Sequence, residues 1–172
     1  MFKILVQFFI LIFLLQSHTT YAEDNTQLPF RGSAVYRYWM IKVYTGKLYA
    51  QPGVNIKETL GTVPLVFELN YARDISRKDF IESGDAFLKK NPGVNMQDID
   101  SSLKKMNELY HDVKEGDTYK LVFIPGKGIS LYLNGQLKGI VPGDAFAKAY
   151  LGIWLSEYSL SSSFTDEITQ QN

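Results

Sequence analysis

The sequence predicts an α+β domain: a large, mostly antiparallel sheet carrying a layer of helices on one face. Three observations lead there. Residues 28–70 are dominated by aromatic and β-branched side chains with no 3.6-residue period. Residues 76–110 hold two stretches that do have that period. Residues 116–155 return to short strands joined by tight turns and end in one more helix.

The elements follow in order. Two strands are expected at about 32–39 and 41–50, closed by Gln51-Pro52-Gly53, and a third at Leu65–Asn70 after a loop containing Gly61 and Pro64. Ser76 with Asp79 three residues on reads as a capping box, and Phe80, Ile81, Gly84, Phe87 and Leu88 fall on one face of the helix it opens. Asn91-Pro92-Gly93 ends that helix. A second helix carries the stripe Ile99, Leu103, Met106 and Tyr110. Strands at Thr118–Ile124, Ile129–Leu133 and Gln136–Val141 are separated by Pro125-Gly126-Lys127-Gly128 and by Asn134-Gly135, the pair best suited to the positive φ values of a two-residue hairpin turn. After Pro142-Gly143, Asp144 is placed to cap a helix whose apolar face is Ala147, Tyr150, Leu151, Trp154 and Leu155. The tail around Ser161–Ile168 reads as a loop with the start of a short helix.

The N-terminus is of a different kind. Lys3 precedes an apolar run from Ile4 to Leu15, interrupted by Gln7, and a polar segment ends at Ala22. That is the pattern of a secretory signal cleaved after Ala22, and the run is shorter than the roughly 20 residues a membrane anchor needs. Residues 1–22 are thus assigned to a signal peptide and 23–172 to a single domain, exported to a periplasm and without a stable membrane span. The chain has 18 Lys and Arg against 18 Asp and Glu, so losing Lys3 leaves a net charge of −1, which gives no argument for nucleic acid. There is no cysteine, hence no disulfide and no lipid-modified cysteine beside Ala22.

Composition removes several chemistries. Residues 23–172 contain one histidine, His111, so no closed His/Cys metal site and no well-supported Ser-His-Asp triad is expected, and His111 reads as exposed at a helix end. Gly126-Lys127-Gly128 lies between two strands and lacks the helix of a phosphate-binding loop. Arg73-Asp74 reads as a structural ion pair or cap at a strand-to-helix junction rather than a site. No cofactor motif is present. The 11 tyrosines stand out, with Tyr36, Tyr38, Tyr44 and Tyr49 crowded into the first two strands, where they either line a ligand cavity or fill the sheet.

With the elements placed, the chain resembles the bacterial chalcone isomerase-like family of exported proteins. The resemblance is carried by Lys42-Val43-Tyr44 with Leu48-Tyr49-Ala50, Tyr71-Ala72-Arg73-Asp74-Ile75-Ser76, Val113-Lys114-Glu115-Gly116-Asp117, Leu131-Tyr132-Leu133-Asn134-Gly135, and Ala145-Phe146-Ala147 through Gly152-Ile153-Trp154-Leu155. It implies an open-faced β-sandwich in which a small apolar ligand lies between sheet and helices. Catalytic members of the family close a chalcone ring, with an arginine, a tyrosine and threonines stabilising developing charge; related members bind fatty acids. This chain departs from the catalytic pattern. Val43 stands where the resemblance places a threonine, and Phe80 and Phe87 where it places tyrosine and asparagine. The arginine position falls on Tyr36, with Arg37 one residue away, on the other face of the strand unless a bulge restores the register.

The resulting expectation is a non-catalytic domain with no catalytic, metal or cofactor residues that binds an apolar molecule such as a fatty acid. Tyr36, Tyr44, Phe80 and Phe87 would form the wall and Arg37 would meet a carboxylate. Two alternatives stand beside it: an intramolecular lyase or isomerase with a rearranged site, and an adaptor that binds an envelope protein and no ligand.

Overall fold

The computed structural model describes residues 27–170, so the signal-like segment and its cleavage point lie outside the described residues. Six strands form one sheet in sequential order, every neighbouring pair antiparallel: β1 (Phe30–Tyr38), β2 (Ile41–Tyr49), β3 (Leu65–Tyr71), β4 (Thr118–Ile124), β5 (Gly128–Leu133) and β6 (Gln136–Val141). The expected α+β class with a large antiparallel sheet is what the chain adopts.

Side-chain alternation divides the two faces. Gly32, Leu48, Phe67, Leu121, Leu131 and Gly139 stand opposite one another across all six strands, and Ala34, Gly46, Leu69, Tyr119 and Leu133 form the next row on the same face. Most of these side chains are fully buried, each large one contributing on the order of 2 kcal/mol by leaving water. The opposite face carries only a small cluster, Val66, Val122 and Tyr132 with Leu28, Tyr49, Ile124 and Leu137 at its edge. The sheet is open on that side.

The helices cover the first face. The capping box at Ser76 forms as expected and opens α2 (Arg77–Lys90); Asn95 caps α3 (Met96–Leu109). Leu109 of α3 lies on Gly139, where a Cβ would come within 2.6 Å of its Cδ2. Helix α4 (Asp144–Leu155) touches α2, α3 and β5 and has Phe146, Ala147 and Tyr150–Leu155 all buried. The predicted apolar face is buried, and from Tyr150 to Leu155 the helix is buried all round, whereas Ala145 and Lys148 of its first half are exposed. Asp144 does not cap it: Gly143, at φ 109°, takes that position, while the Asp144 carboxylate accepts the Gly126 N–H at 2.9 Å.

One helix escapes the sequence pattern, and another forms where the tail reads as a loop with the start of a short helix. A single turn, α1 (Ile56–Thr59), sits in the loop before β3, and α5 (Ser162–Thr169) packs across β1 and β2. Gly46 makes the second contact possible, because a Cβ there would be 2.6 Å from the Phe164 ring.

Candidate functional site: an aromatic cavity between sheet and helices

At the end of the sheet where β1, β2 and β3 meet α2 and α4, the two layers part and leave a cavity of about 530 Å³. That size suits a small organic ligand. Tyr36, Val43, Tyr44 and Tyr71 supply the sheet wall, Phe80, Ser83, Gly84 and Phe87 the α2 wall, and Tyr150, Ile153 and Trp154 the α4 wall, with Tyr110 and Leu160 completing it. Tyr38, Arg73, Asp74, Ile75 and Asp79 also line it, and of these only Ile75 is not solvent-exposed.

The wall is held by ring contacts. Tyr36 stacks on Tyr44 at 5.0 Å, Tyr44 meets Tyr71 edge-on at 5.8 Å, and Phe80 stacks on Tyr110 at 5.1 Å. Such pairs add about 0.5–1.5 kcal/mol each beyond area burial and fix the orientation of the hydroxyls. The Trp154 indole N–H donates to the Tyr44 hydroxyl at 3.1 Å, and the Tyr110 and Tyr150 hydroxyls hydrogen-bond each other. Among the described residues the Tyr71 hydroxyl has no hydrogen-bond partner, although its ring is buried.

Burial raises the pKa of the four buried phenols that line the cavity, Tyr44, Tyr71, Tyr110 and Tyr150. The Trp154 donor partly opposes this at Tyr44, and the Tyr150 hydroxyl does so at Tyr110; at Tyr71 and Tyr150 neighbouring tyrosines add to it. Each stays protonated near neutral pH. The interior thus presents apolar rings and neutral hydroxyls, while the charges sit at the opening. Asp74 there is engaged by Lys114 at 2.7 Å and by the Glu115 N–H, and Asp79 by the Ser76 cap; both carboxyls are lowered, first of all by those side-chain hydrogen bonds. Arg73 does not pair with Asp74, contrary to the ion pair expected from their adjacency, and its guanidinium has no partner among the described residues. It is the cation of the cavity lining.

A family model described as chalcone isomerase-like matches residues 15–168. The chain belongs to the chalcone isomerase-like family. Among solved structures, the crystal structure of a fatty-acid binding protein from Arabidopsis thaliana superposes with a TM-score of 0.60 at 17% identity, over 83% of this chain and 84% of that one. At that identity the likeness is one of fold. No curated protein matches the chain.

Within this chalcone isomerase-like domain, Tyr36, Tyr44, Phe80 and Phe87 come together around the cavity, and Arg37 lies outside it. A bulge does occur beside Arg37, but the extra residue is Val43 on β2, since Tyr36 faces Tyr44 and Arg37 faces Lys42. The alternation of β1 from Gly32 to Tyr38 is undisturbed, so Tyr36 and Tyr38 line the cavity while Arg37 is exposed. Val43, Phe80 and Phe87, where the resemblance places a threonine, a tyrosine and an asparagine, all line the cavity. Hydroxyls are present on Tyr36, Tyr38, Tyr44 and Ser83 and also on Tyr71, Tyr110 and Tyr150, three lining residues that the sequence did not single out for the site. The signal for Tyr150 was its four-residue spacing to Trp154, for Tyr110 its place on the stripe of the second helix, and for Tyr71 its position one strand alternation beyond Leu69. No group of three or more His, Cys, Asp or Glu residues suited to a metal occurs among the described residues, and none of the described helices is long and apolar enough to cross a membrane.

Proposed function

We propose that the chain is a non-catalytic, exported binding domain that holds an apolar small molecule such as a fatty acid in the aromatic cavity. The observation that carries this reading is the cavity itself: about 530 Å³ walled by rings, with neutral hydroxyls inside and charge only at its mouth. An acyl chain gains about 0.8 kcal/mol per buried methylene in such a space. Its head would take hydrogen bonds from Tyr71 inside or the charge of Arg73 at the mouth, a place the sequence alone gave to Arg37. The fold likeness to a plant fatty-acid binding protein supports the same ligand class. Export rests on the pattern of residues 1–22.

The test is a titration of delipidated protein with a naturally fluorescent polyene fatty acid, followed by displacement with unlabelled oleate. Saturable one-to-one binding that oleate reverses is the expected result. A signal no larger than that of an unrelated protein of equal size would overturn the reading. In parallel, chalcone absorbance should stay at the buffer rate, because Val43, Phe80 and Phe87 supply no donors to a developing oxyanion.

A further inference from the structure

The hairpin joining β1 to β2 ends in a two-residue turn, Trp39-Met40, flanked by the paired residues Tyr38 and Ile41. All four are large and apolar or amphipathic, and all four are exposed: Tyr38 63%, Trp39 83%, Met40 90% and Ile41 55%. Nothing in the packing of the domain requires them there. Trp39 even adopts a φ of 55°, a left-handed conformation that Asn or Gly takes at much lower cost, and the β5–β6 hairpin of the same sheet does use Asn134-Gly135 at φ 50° and 80°. A bulky indole at such a position is local strain kept for something outside the fold.

The charges behind the tip indicate what it meets. Arg37 and Lys42 face each other one step back along the two strands, and neither has a hydrogen bond or ion pair among the described residues. Arg73 is close by, since Ala72 donates its N–H to the Val43 carbonyl at 2.9 Å. The acid beside it, Asp74, is occupied by Lys114. An apolar tip with Trp and Tyr, backed by uncommitted Arg and Lys, is matched to a bilayer interface, with rings at the headgroup level and cations at the phosphates. The tip is also continuous with the cavity, because Tyr38 belongs to both.

We propose that the Tyr38–Ile41 hairpin inserts into the interface of an anionic membrane and brings the cavity mouth against the lipid from which the ligand is taken or to which it is delivered. The delivery step rests on the binding reading above; insertion itself does not. The near-neutral net charge of the chain is no obstacle, since the attraction is local to Arg37, Lys42 and Arg73.

The test uses protein isolated from cells expressing the full chain, so that any contribution of residues 1–26 is common to every variant. Vesicles of phosphatidylcholine with and without phosphatidylglycerol are added, and tryptophan emission is read. Trp39 is exposed and Trp154 buried, so the change reports the tip. Expected are a shift to shorter wavelength, quenching by phospholipids brominated near the carbonyls, and loss of both in Met40→Asp/Ile41→Asp. Arg37→Glu/Lys42→Glu should weaken partition into anionic vesicles at least twentyfold, at about fivefold for each basic residue lost, and leave neutral vesicles little changed. Trp39 emission unmoved by vesicles, or the same vesicle response in Met40→Asp/Ile41→Asp, would overturn the proposal. So would a concentration-dependent shift without lipid, which would make the tip a contact between two copies of the chain. Fatty-acid titration without vesicles separates the two readings. Retained affinity in the tip variant, with transfer to vesicles at least tenfold slower, supports insertion, whereas no fatty-acid binding by the unaltered protein removes the cavity reading and leaves the vesicle result standing.

Discussion

Gly84 offers the most direct lever on the cavity. It lies inside α2 and lines the cavity, and a Cβ built on it meets nothing within 4 Å. Replacing it with leucine has two effects of opposite consequence. Glycine in a helix interior is about 0.8–1.0 kcal/mol less favourable than alanine, and leucine is close to alanine, so Gly84→Leu should raise stability by about 0.8 kcal/mol and the melting temperature by about 2–4 °C. The same side chain adds four carbon atoms to a space of about 530 Å³. Displacing about three methylenes of a bound chain costs about 2.4 kcal/mol, roughly fiftyfold in affinity. Gly84→Ala should keep the gain in stability and lose little binding. Urea denaturation and the fatty-acid titration on the three proteins separate these effects. Raised stability with unchanged affinity would show that the ligand lies elsewhere, and lowered stability would show that α2 does not stand off from α4 at this position.

Three further outcomes follow from the same geometry. Tyr150→Phe strands the buried Tyr110 hydroxyl and should cost about 1–3 kcal/mol in urea unfolding, while Tyr110→Phe/Tyr150→Phe should recover most of it; equal losses in both would mean the hydroxyl pair is not coupled. Arg73→Ala should weaken a fatty acid by up to about fivefold and leave the corresponding fatty alcohol unaffected, the size expected of an exposed charge contact; equal loss of both would assign Arg73 a packing role. Tyr44, Tyr71, Tyr110 and Tyr150 all have pKa values raised above the ordinary 10.0. Their contribution to stability is complete below pH 10 and is lost as pH rises beyond it, so tyrosinate absorbance from these four should appear together with loss of near-UV dichroism. Ionisation of all tyrosines before that transition would contradict their burial.

What the sequence shows well is what local chemistry decides. The Asn134-Gly135 turn, the Ser76–Asp79 capping box and the alternation of β3 to β6 each act over a few residues, and the sheet follows from them. Asp144 is a local signal that long-range geometry overrides, because its carboxylate reaches Gly126 instead of its own helix. The site of α5 depends on Gly46, more than a hundred residues earlier, making room for Phe164, and no local pattern reports that. The cavity is harder still. Tyr36, Tyr44, Phe80 and Phe87 were visible as an aromatic set, but Tyr71, Tyr110 and Tyr150 come from three other segments and meet only where the layers part. The position of Arg37 turned on which strand held the bulge, a single residue that reverses a side chain and that pairing alone decides.

The central claim is that the cavity carries an apolar ligand, and native mass spectrometry of protein isolated from its own cells tests it without choosing the ligand beforehand. Mass in excess of the polypeptide, released on denaturing extraction as a fatty acid or another apolar small molecule and diminished in Gly84→Leu, is the expected result. Protein that is repeatedly empty, or extra mass that Gly84→Leu leaves unchanged, would contradict it.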